Sequence, residues 1–224
     1  MKVPYIKLSL LLIFGVGIII GTFLPVSAKR QFSYAGYKWN MNLNLGAQAY
    51  FPSTDPYVPP AGKSSEWIMS YDDDTHYFQA GWMKEYNHPG PNYFVEYSCP
   101  PSVCYFPYTL TPGTHLYKIE FVSPNWCAYI DGVSYLCRDA GILGMAAAAN
   151  VAFSGETSDT KADLGRTASN HLRIYQTAFK DALTLNWYQT NANELINILT
   201  PGTPYADDRG FTDPYIWVEN WTVR

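Results

Sequence analysis

Apolar and polar residues alternate along most of this chain, and this period of two limits its fold more than any other feature. Residues 32–41 run Phe-Ser-Tyr-Ala-Gly-Tyr-Lys-Trp-Asn-Met. Successive side chains of a β-strand point to opposite faces, so such a run indicates a strand with one buried face. Further strand-like segments lie at 66–71, 75–86, 93–98, 116–122, 126–130, 133–137, 172–176, 183–188 and 215–223. Turn residues separate them about every 8–12 positions, which predicts an all-β fold, an antiparallel β-sandwich.

Two segments depart from this pattern. Residues 191–199 are the only stretch with helical spacing, so we predict one short helix there. Residues 144–153 are small and apolar, which suits a helix or a buried strand, and the strand is favoured because the segment leads into Gly155. No linker interrupts residues 29–224, which are therefore interpreted as a single β-sandwich domain.

The first 28 residues have the pattern of a secretion signal. Two lysines accompany an apolar stretch at 8–20, and residues 26–28 (Val-Ser-Ala) form a small-residue cleavage site. We therefore expect a signal peptide at 1–28 and a secreted, extracellular domain after it. An uncleaved signal that anchors the protein in a membrane is the alternative, because residues 10–23 are long enough to leave that interpretation open.

Composition narrows the range of partners. The chain has 15 basic and 19 acidic residues, so it has no excess of positive charge with which to hold phosphate backbones. Nucleic acid is therefore not an expected partner. Aromatic residues make up 17% of the chain and charged residues 15%, which is the opposite of the composition of disordered proteins.

The four cysteines fall into two pairs that are close in sequence, Cys99 with Cys104 and Cys127 with Cys137. An even number of cysteines in a secreted chain favours disulfides, and we predict one within each pair. A zinc site is the alternative, but neither pair has the usual two-residue gap and no histidine is suitably spaced. Neither a metal nor a cofactor is expected.

The second cysteine pair flanks a hairpin signal, Asp131-Gly132. A strict two-residue turn would place Cys127 opposite Leu136. A three-residue loop with a bulge would place it opposite Cys137. We therefore predict the bulged loop and a disulfide across the two strands.

Three segments carry a resemblance to a known family. Residues 34–37 (Tyr-Ala-Gly-Tyr) come first, 65–68 (Ser-Glu-Trp-Ile) with 77–82 (Tyr-Phe-Gln-Ala-Gly-Trp) come second, and 93–97 (Tyr-Phe-Val-Glu-Tyr) come third. In order and spacing they resemble the aromatic-Gly-Tyr, Trp-Val, Leu-Gln-Thr-Gly and Tyr-Glu-Trp strands of the eqolisins, the glutamic peptidases. The resemblance implies the sandwich of the concanavalin-like lectins and glucanases, a jelly roll, which agrees with the predicted strands.

The same resemblance implies the site residues. A Gln and a Glu form the catalytic dyad of the family, and the Gln corresponds to Gln79. The Glu corresponds to Glu156, the only carboxylate near the expected strand position, at which Ser154 stands. A shift of two residues keeps the same face of a strand. Glu96 and Trp67 are the expected supporting residues.

Amide hydrolysis needs a base to activate water and a donor for the oxyanion. Glu156 would take the proton from water and later return it to the leaving amine, while the Gln79 amide would donate to the oxyanion. An ordinary carboxyl pKa of about 4 then predicts an acid-acting endopeptidase with a polypeptide substrate.

A non-catalytic, lectin-like module on the same fold, which binds a carbohydrate or a surface, is the main alternative. Sugar rings stack on aromatic side chains, so Tyr77, Trp82, Tyr93 and Tyr97 are candidate ligand-stacking residues for a glycan. Alternation predicts that about half of such aromatics face the core instead. Glycoside hydrolysis is not expected, because the sequence lacks the Glu-x-Asp-x-x-Glu cluster of the glucanases.

Overall fold

The computed structural model describes residues 33–158, 172–190, 196–197, 205–209 and 216–220, and the predicted signal peptide lies outside them. These residues form fourteen strands and one short helix. In chain order they are β1 (Ser33–Pro52), β2 (Lys63–Asp73), β3 (His76–Glu85), β4 (Asn92–Cys99), β5 (Ser102–Thr109), β6 (Thr114–Val122), β7 (Asn125–Ile130), β8 (Val133–Asp139), α1 (Ala140–Leu143), β9 (Ala148–Thr157), β10 (Leu172–Asp181), β11 (Trp187–Gln189), β12 (Ile196–Asn197), β13 (Tyr205–Arg209) and β14 (Ile216–Asn220). Across these described ranges, no helix has the length and apolar character needed to cross a membrane.

The strands form one curled antiparallel sheet, and β1 belongs to both of its halves. Residues 33–40 of β1 pair with β9, and the sheet continues through β2, β3 and β4 to β5. Residues 46–52 pair along one edge with β6, which leads to β7 and β8, while residues 44–50 pair along the other edge with β10. The core lies between the two halves, so the predicted antiparallel β-sandwich is confirmed.

β1 changes partners at Asn44, whose side chain is fully buried. Its Nδ2 donates to the carbonyl oxygens of Ala148, at 2.7 Å, and Asn150, at 3.1 Å. Its Oδ1 accepts from the hydroxyl of Ser70 at 3.0 Å and from the backbone N–H of Gly46 at 3.3 Å. One side chain therefore ties β9 and β2 to the bend of β1.

Aromatic side chains fill the core between the two halves. Trp82 and Tyr93 are 0% exposed and Tyr97 is 3% exposed, so none of them offers a ring to a ligand. Their interpretation as stacking residues is therefore wrong. The physical reason is alternation, because these residues occupy the strand positions that face inward. Tyr77 has the opposite orientation and is half-buried on the outer face of β3.

The short helix lies elsewhere than predicted. Residues 140–143 form α1, and the Asp139 side chain caps it by accepting from two backbone N–H groups of the first turn. In the range 191–199, Ile196 and Asn197 pair with Lys38 and Tyr37 of β1 instead of forming a helix, and the other residues lie outside the described ones. A free strand edge has overridden local helical spacing.

Both predicted disulfides are present, Cys99–Cys104 between β4 and β5 and Cys127–Cys137 between β7 and β8. They connect strands that are already neighbours in the sheet.

The hairpin reaches the predicted cysteine pairing by another route. Ile130 pairs with Val133, so the loop has two residues, and both have positive φ, 49° at Asp131 and 82° at Gly132. The register shifts further along, where Tyr135 is the extra residue of a bulge in β8. The predicted three-residue loop is therefore wrong, while the cross-strand pairing is confirmed.

Candidate active site

One surface of the sheet, the site face, is formed by the outer faces of β9, β2, β3 and β4. It carries the side chains of Glu156, Trp67, Gln79 and Glu96. Paired residues of adjacent antiparallel strands project to the same side of a sheet. Gln79 pairs with Glu96 on β4 and with Met69 on β2. Met69 in turn pairs with Ala152 on β9, which shares its face with Glu156 four residues later. Gln79, Glu96 and Glu156 therefore lie on one face.

Trp67 holds the carboxyl group of Glu156. Its indole N–H donates to Oε2 of Glu156 at 2.9 Å, and its own side chain is only 4% exposed. Burial raises the pKa of Glu156 to about 7, and the nearby carboxylate of Glu96 also raises it. The hydrogen bond from Trp67 and the positive charge of Lys63 lower this pKa, but they do not outweigh the effect of burial. The group thus titrates near neutral pH instead of near 4.

Glu96 accepts two hydrogen bonds at a single oxygen. Its Oε1 lies 2.9 Å from Nε2 of Gln79 and 2.9 Å from the hydroxyl of Tyr77. Burial raises the pKa of Glu96, while Tyr77 and the charge of Lys63 oppose the rise. The Gln79 amide therefore turns its nitrogen toward Glu96.

Glu156 stands two residues beyond the position that is directly opposite Trp67, which Ser154 occupies. β9 does not end at Gly155, because this residue pairs with Glu66 on one side and Ala35 on the other. The strand therefore carries Glu156 on the site face, with its Cα about 7 Å further along β9 than that of Ser154.

The charged groups of the site face lie among apolar side chains. Trp67, Phe94 and Ala152 are buried there, in a cluster separate from the main core. Half-buried neighbours surround them: Tyr34, Met69, Tyr71, Met83 and Tyr105. Apolar surroundings disfavour the ionised form of a carboxyl group, which explains the raised pKa of both Glu96 and Glu156.

Sequence reasoning missed Lys63, which lies at the start of β2. Its Nζ forms an ion pair with Oε1 of Glu85 at 2.6 Å and lies 5.8 Å from the centre of the Tyr105 ring. It is also the cation that lowers the pKa of both Glu96 and Glu156. Its spacing from Trp67, four residues along one strand, is the signal that would have placed it on the site face.

The polar role of Tyr77 was also missed, since its ring and not its hydroxyl was singled out. Tyr34 is a further neighbour of the site, because burial and then the carboxylates of Glu156 and Glu96 raise the pKa of its phenol. Within the part of the chain that the structure describes, no three His, Cys, Asp or Glu residues are grouped so that they could hold a metal ion.

Solved glutamic peptidases have a similar fold. Scytalido-glutamic peptidase with a transition-state analogue inhibitor matches with a TM-score of 0.58 and 11% identity, over 85% of this chain and 98% of that chain. A second structure of that enzyme, with a peptide-based transition-state analogue, matches with a TM-score of 0.57 and the same identity and coverage. SCP-B, a member of the eqolisin family of peptidases in complex with the tripeptide Ala-Ile-His, matches with a TM-score of 0.54 and 9% identity, over the same shares of the two chains.

Comparison with protein-family models gives no match, and comparison with curated proteins gives none. At 9–11% identity, the likeness is one of fold. The expected similarity to the eqolisin fold is confirmed: the chain is a β-sandwich whose fold resembles that of these peptidases.

Proposed function

We propose that this protein is a secreted hydrolase that cleaves polypeptides in the manner of a glutamic peptidase, with Glu156 and Gln79 as its catalytic residues. One observation carries the proposal: both residues lie on one face of the sheet and each is held there by a buried or half-buried neighbour. Trp67 holds Glu156 at 2.9 Å, and Glu96 holds Gln79 at 2.9 Å. The two disulfides fit an oxidising compartment outside the cell.

The reaction needs only these side chains and water. The ionised carboxylate of Glu156 takes a proton from a water molecule, and the hydroxide attacks the carbonyl carbon of the substrate. The carbonyl oxygen becomes an oxyanion and accepts from the N–H of Gln79 that is not bonded to Glu96. When the carbon–nitrogen bond breaks, Glu156 returns its proton to the leaving amine.

The range of pH follows from the environment of Glu156. With a pKa of about 7, only about one molecule in a thousand has this carboxyl ionised at pH 4, about three units lower. The acidic optimum expected from an ordinary carboxyl group is therefore not supported. Activity should rise with pH, reach half of its maximum at about pH 7 and approach its maximum about one unit higher.

The test is cleavage of an unfolded polypeptide between pH 3 and 8, followed by chromatography of the peptides. Glu156→Gln keeps an oxygen to accept from Trp67 but removes the base, and should reduce the rate by about 10² or more. Gln79→Ala should reduce it by about 10²–10³. Gln189→Ala, at an exposed glutamine of β11, is the matched control and should have no effect. Cleavage that survives both site substitutions contradicts the dyad.

A polypeptide- or glycan-binding module is the second candidate, and the position of Ser154 favours it. This residue, not a carboxylate, lies directly opposite Trp67. The half-buried rings of Tyr34, Tyr71 and Tyr105 would then stack on the ligand. A wild-type protein that binds peptides or oligosaccharides in calorimetry, yet cleaves neither at any pH from 3 to 8, supports this candidate over the hydrolase.

A further inference from the structure

We propose that Tyr77 is a positioning residue of the candidate site: its hydroxyl fixes the carboxylate of Glu96, and Glu96 fixes the Gln79 amide with its nitrogen turned inward. Tyr77 and Gln79 are two residues apart on β3, and Glu96 is the cross-strand partner of Gln79. The contribution to catalysis rests on the proposed function, whereas the geometry does not depend on it.

Two donors meet at one oxygen atom. Both the Tyr77 hydroxyl and Nε2 of Gln79 lie 2.9 Å from Oε1 of Glu96. A carboxylate oxygen has two lone pairs, so these two hydrogen bonds fill it and set the rotation of the carboxylate. An ionised carboxylate has no proton to donate, so Tyr77 must be the donor in its hydrogen bond with Glu96. This hydrogen bond favours the ionised form of Glu96, which can only accept from Gln79.

The orientation of the amide matters because a glutamine side chain has two nearly isosteric arrangements, related by exchange of its oxygen and nitrogen. With Glu96 ionised, the nitrogen of Gln79 faces Glu96, and its second N–H remains to donate to an oxyanion. A protonated Glu96 can instead donate to the Gln79 oxygen and stabilise the opposite arrangement. That arrangement leaves no N–H of Gln79 fixed for the oxyanion.

Tyr77 shifts this balance toward the productive orientation. Burial raises the pKa of Glu96, and the hydrogen bond from Tyr77 counteracts it. Several titratable groups of the same part of the sheet interact with Glu96. They are Tyr77 on β3, Tyr105 on β5, Lys63 on β2, Glu156 on β9 and Tyr34 on β1. Among them, Tyr77 gives the hydrogen bond and Lys63 the positive charge that favour ionised Glu96.

The chain offers a matched control for this tyrosine. Tyr71 is the partner of Tyr77 across β2 and β3 and is also half-buried on the site face. Its hydroxyl forms no hydrogen bond with the described residues. Tyr71→Phe and Tyr77→Phe therefore remove the same atom from neighbouring positions, and only the second removes a donor to Glu96.

The first experiment does not require activity. Carbon-13 NMR of the glutamate carboxyl carbons, with Glu96 assigned by Glu96→Gln, follows the titration of Glu96 in the full chain. We expect Tyr77→Phe to raise the pKa of Glu96 and to move the side-chain amide signals of Gln79 over the same pH range. Tyr71→Phe should change neither. A Glu96 titration that is unchanged in Tyr77→Phe overturns the proposal.

The second experiment measures kcat and KM against pH with an unfolded polypeptide. At pH values below the pKa of Glu156, the logarithm of kcat should decrease as pH decreases. Its slope against pH is one if only Glu156 must be ionised, and two in the range where Glu96 must lose a proton as well. Tyr77→Phe should reduce kcat roughly tenfold with little change in KM. It should also move the onset of slope two to higher pH, and Tyr71→Phe should not. An unchanged onset overturns the positioning role.

The two experiments separate the two proposals. If the wild type is inactive at every pH, the proposed function fails, and the NMR titration still decides what Tyr77 does to Glu96. If Tyr77→Phe does not fold, as judged by circular dichroism, Glu96→Gln carries the test. This variant keeps an acceptor but cannot titrate, so slope two should disappear, and its persistence overturns the proposal.

Discussion

Glu66 and Trp67 are consecutive residues of β2, and their side chains lie in opposite environments. Trp67 points to the site face and donates to Glu156 at 2.9 Å. Glu66 points into the core, where it is 0% exposed and neither oxygen of its carboxyl group has a partner among the described residues. Ionisation of Glu66 would therefore destabilise β2, the same strand whose Trp67 holds Glu156 in place.

The first prediction concerns stability against pH. Burial raises the pKa of Glu66 well above its usual value; the indole of Trp82, its cross-strand neighbour, acts in the opposite direction but does not reach hydrogen-bond geometry. The carboxyl group is thus protonated more readily in the folded state than in the unfolded one. Its stabilising effect is complete below the unfolded pKa of about 4.3 and is lost as pH rises through the folded pKa. The contribution of Glu66 to the free energy of unfolding should therefore be largest at acid pH and decrease as pH rises toward 8.

Glu66→Gln removes this titration while keeping the size of the side chain. The free energy of unfolding of this variant, measured in urea, should therefore gain on that of the wild type as pH rises and should exceed it at pH 8. Glu120→Gln is the comparison of opposite sign, because hydrogen bonds from Lys118 and Lys180 outweigh burial and lower the pKa of Glu120. Parallel curves for wild type and Glu66→Gln would refute the role given to Glu66.

The second prediction concerns the bond between Trp67 and Glu156. Trp67→Phe removes the indole N–H that lowers the pKa of Glu156, so this pKa should rise further above the value of about 7. The midpoint of the rise in activity should then move to higher pH, and NMR titration of Glu156 should move with it. Trp39→Phe, whose ring packs on Phe179 away from Glu156, should leave both midpoints in place.

The third prediction concerns the contact of β2 with β3. A Cβ atom at Gly81 would collide with the backbone carbonyl oxygen of Glu66 and lie 2.7 Å from the Cα of Trp67. Gly81→Ala should therefore force the two strands apart and lower the free energy of unfolding by roughly 3 kcal/mol or more. Gly90→Ala is the matched control, since nothing lies within 4 Å of its added carbon. Equal stability of the two variants in urea would contradict the packing described here.

The parts of the site that sequence could supply are those that depend on alternation within one strand. On β3, Tyr77 and Gln79 share a face, and Trp82 lies on the other. If Gln79 lies in a site on one face of β3, alternation places Trp82 on the core face. Tyr77 and Trp82 therefore cannot both stack on one ligand, and the sequence was sufficient to show this. Glu66 follows the same rule, because it alternates with Trp67 and so belongs to the core face.

The parts that sequence could not supply depend on pairing between distant segments. Whether β9 continues through Gly155 depends on its partners on β1 and β2, 120 and 89 residues earlier in the chain. The bend of β1 at Asn44 depends in the same way on carbonyl groups of β9. A glycine can end a strand, and only these neighbours show that β9 continues past Gly155 and carries Glu156 on the site face.

The fourth prediction concerns that bend. Asn44→Ala removes a buried side chain that takes part in four hydrogen bonds and leaves their partners in β1, β2 and β9 unpaired. The free energy of unfolding should fall by about 2–4 kcal/mol. Asn40→Ala, four residues earlier and exposed, should have little effect in the same urea titration. A small loss in Asn44→Ala would mean that the bend does not depend on this side chain.

The fifth prediction combines the two buried glutamates, whose effects on activity have opposite signs. Glu156 must lose its proton to act as a base, so activity should increase toward pH 7 and above. As pH rises, Glu66 also ionises, and this destabilises the fold. The highest pH at which the protein is active should therefore be set by unfolding. Glu66→Gln should therefore retain the low-pH side of the activity profile and extend the high-pH side. The measurement is residual activity after incubation at pH 6 to 9, with circular dichroism recorded on the same samples. If both proteins lose activity at the same pH while remaining folded, the upper limit belongs to the chemistry of the site and not to Glu66.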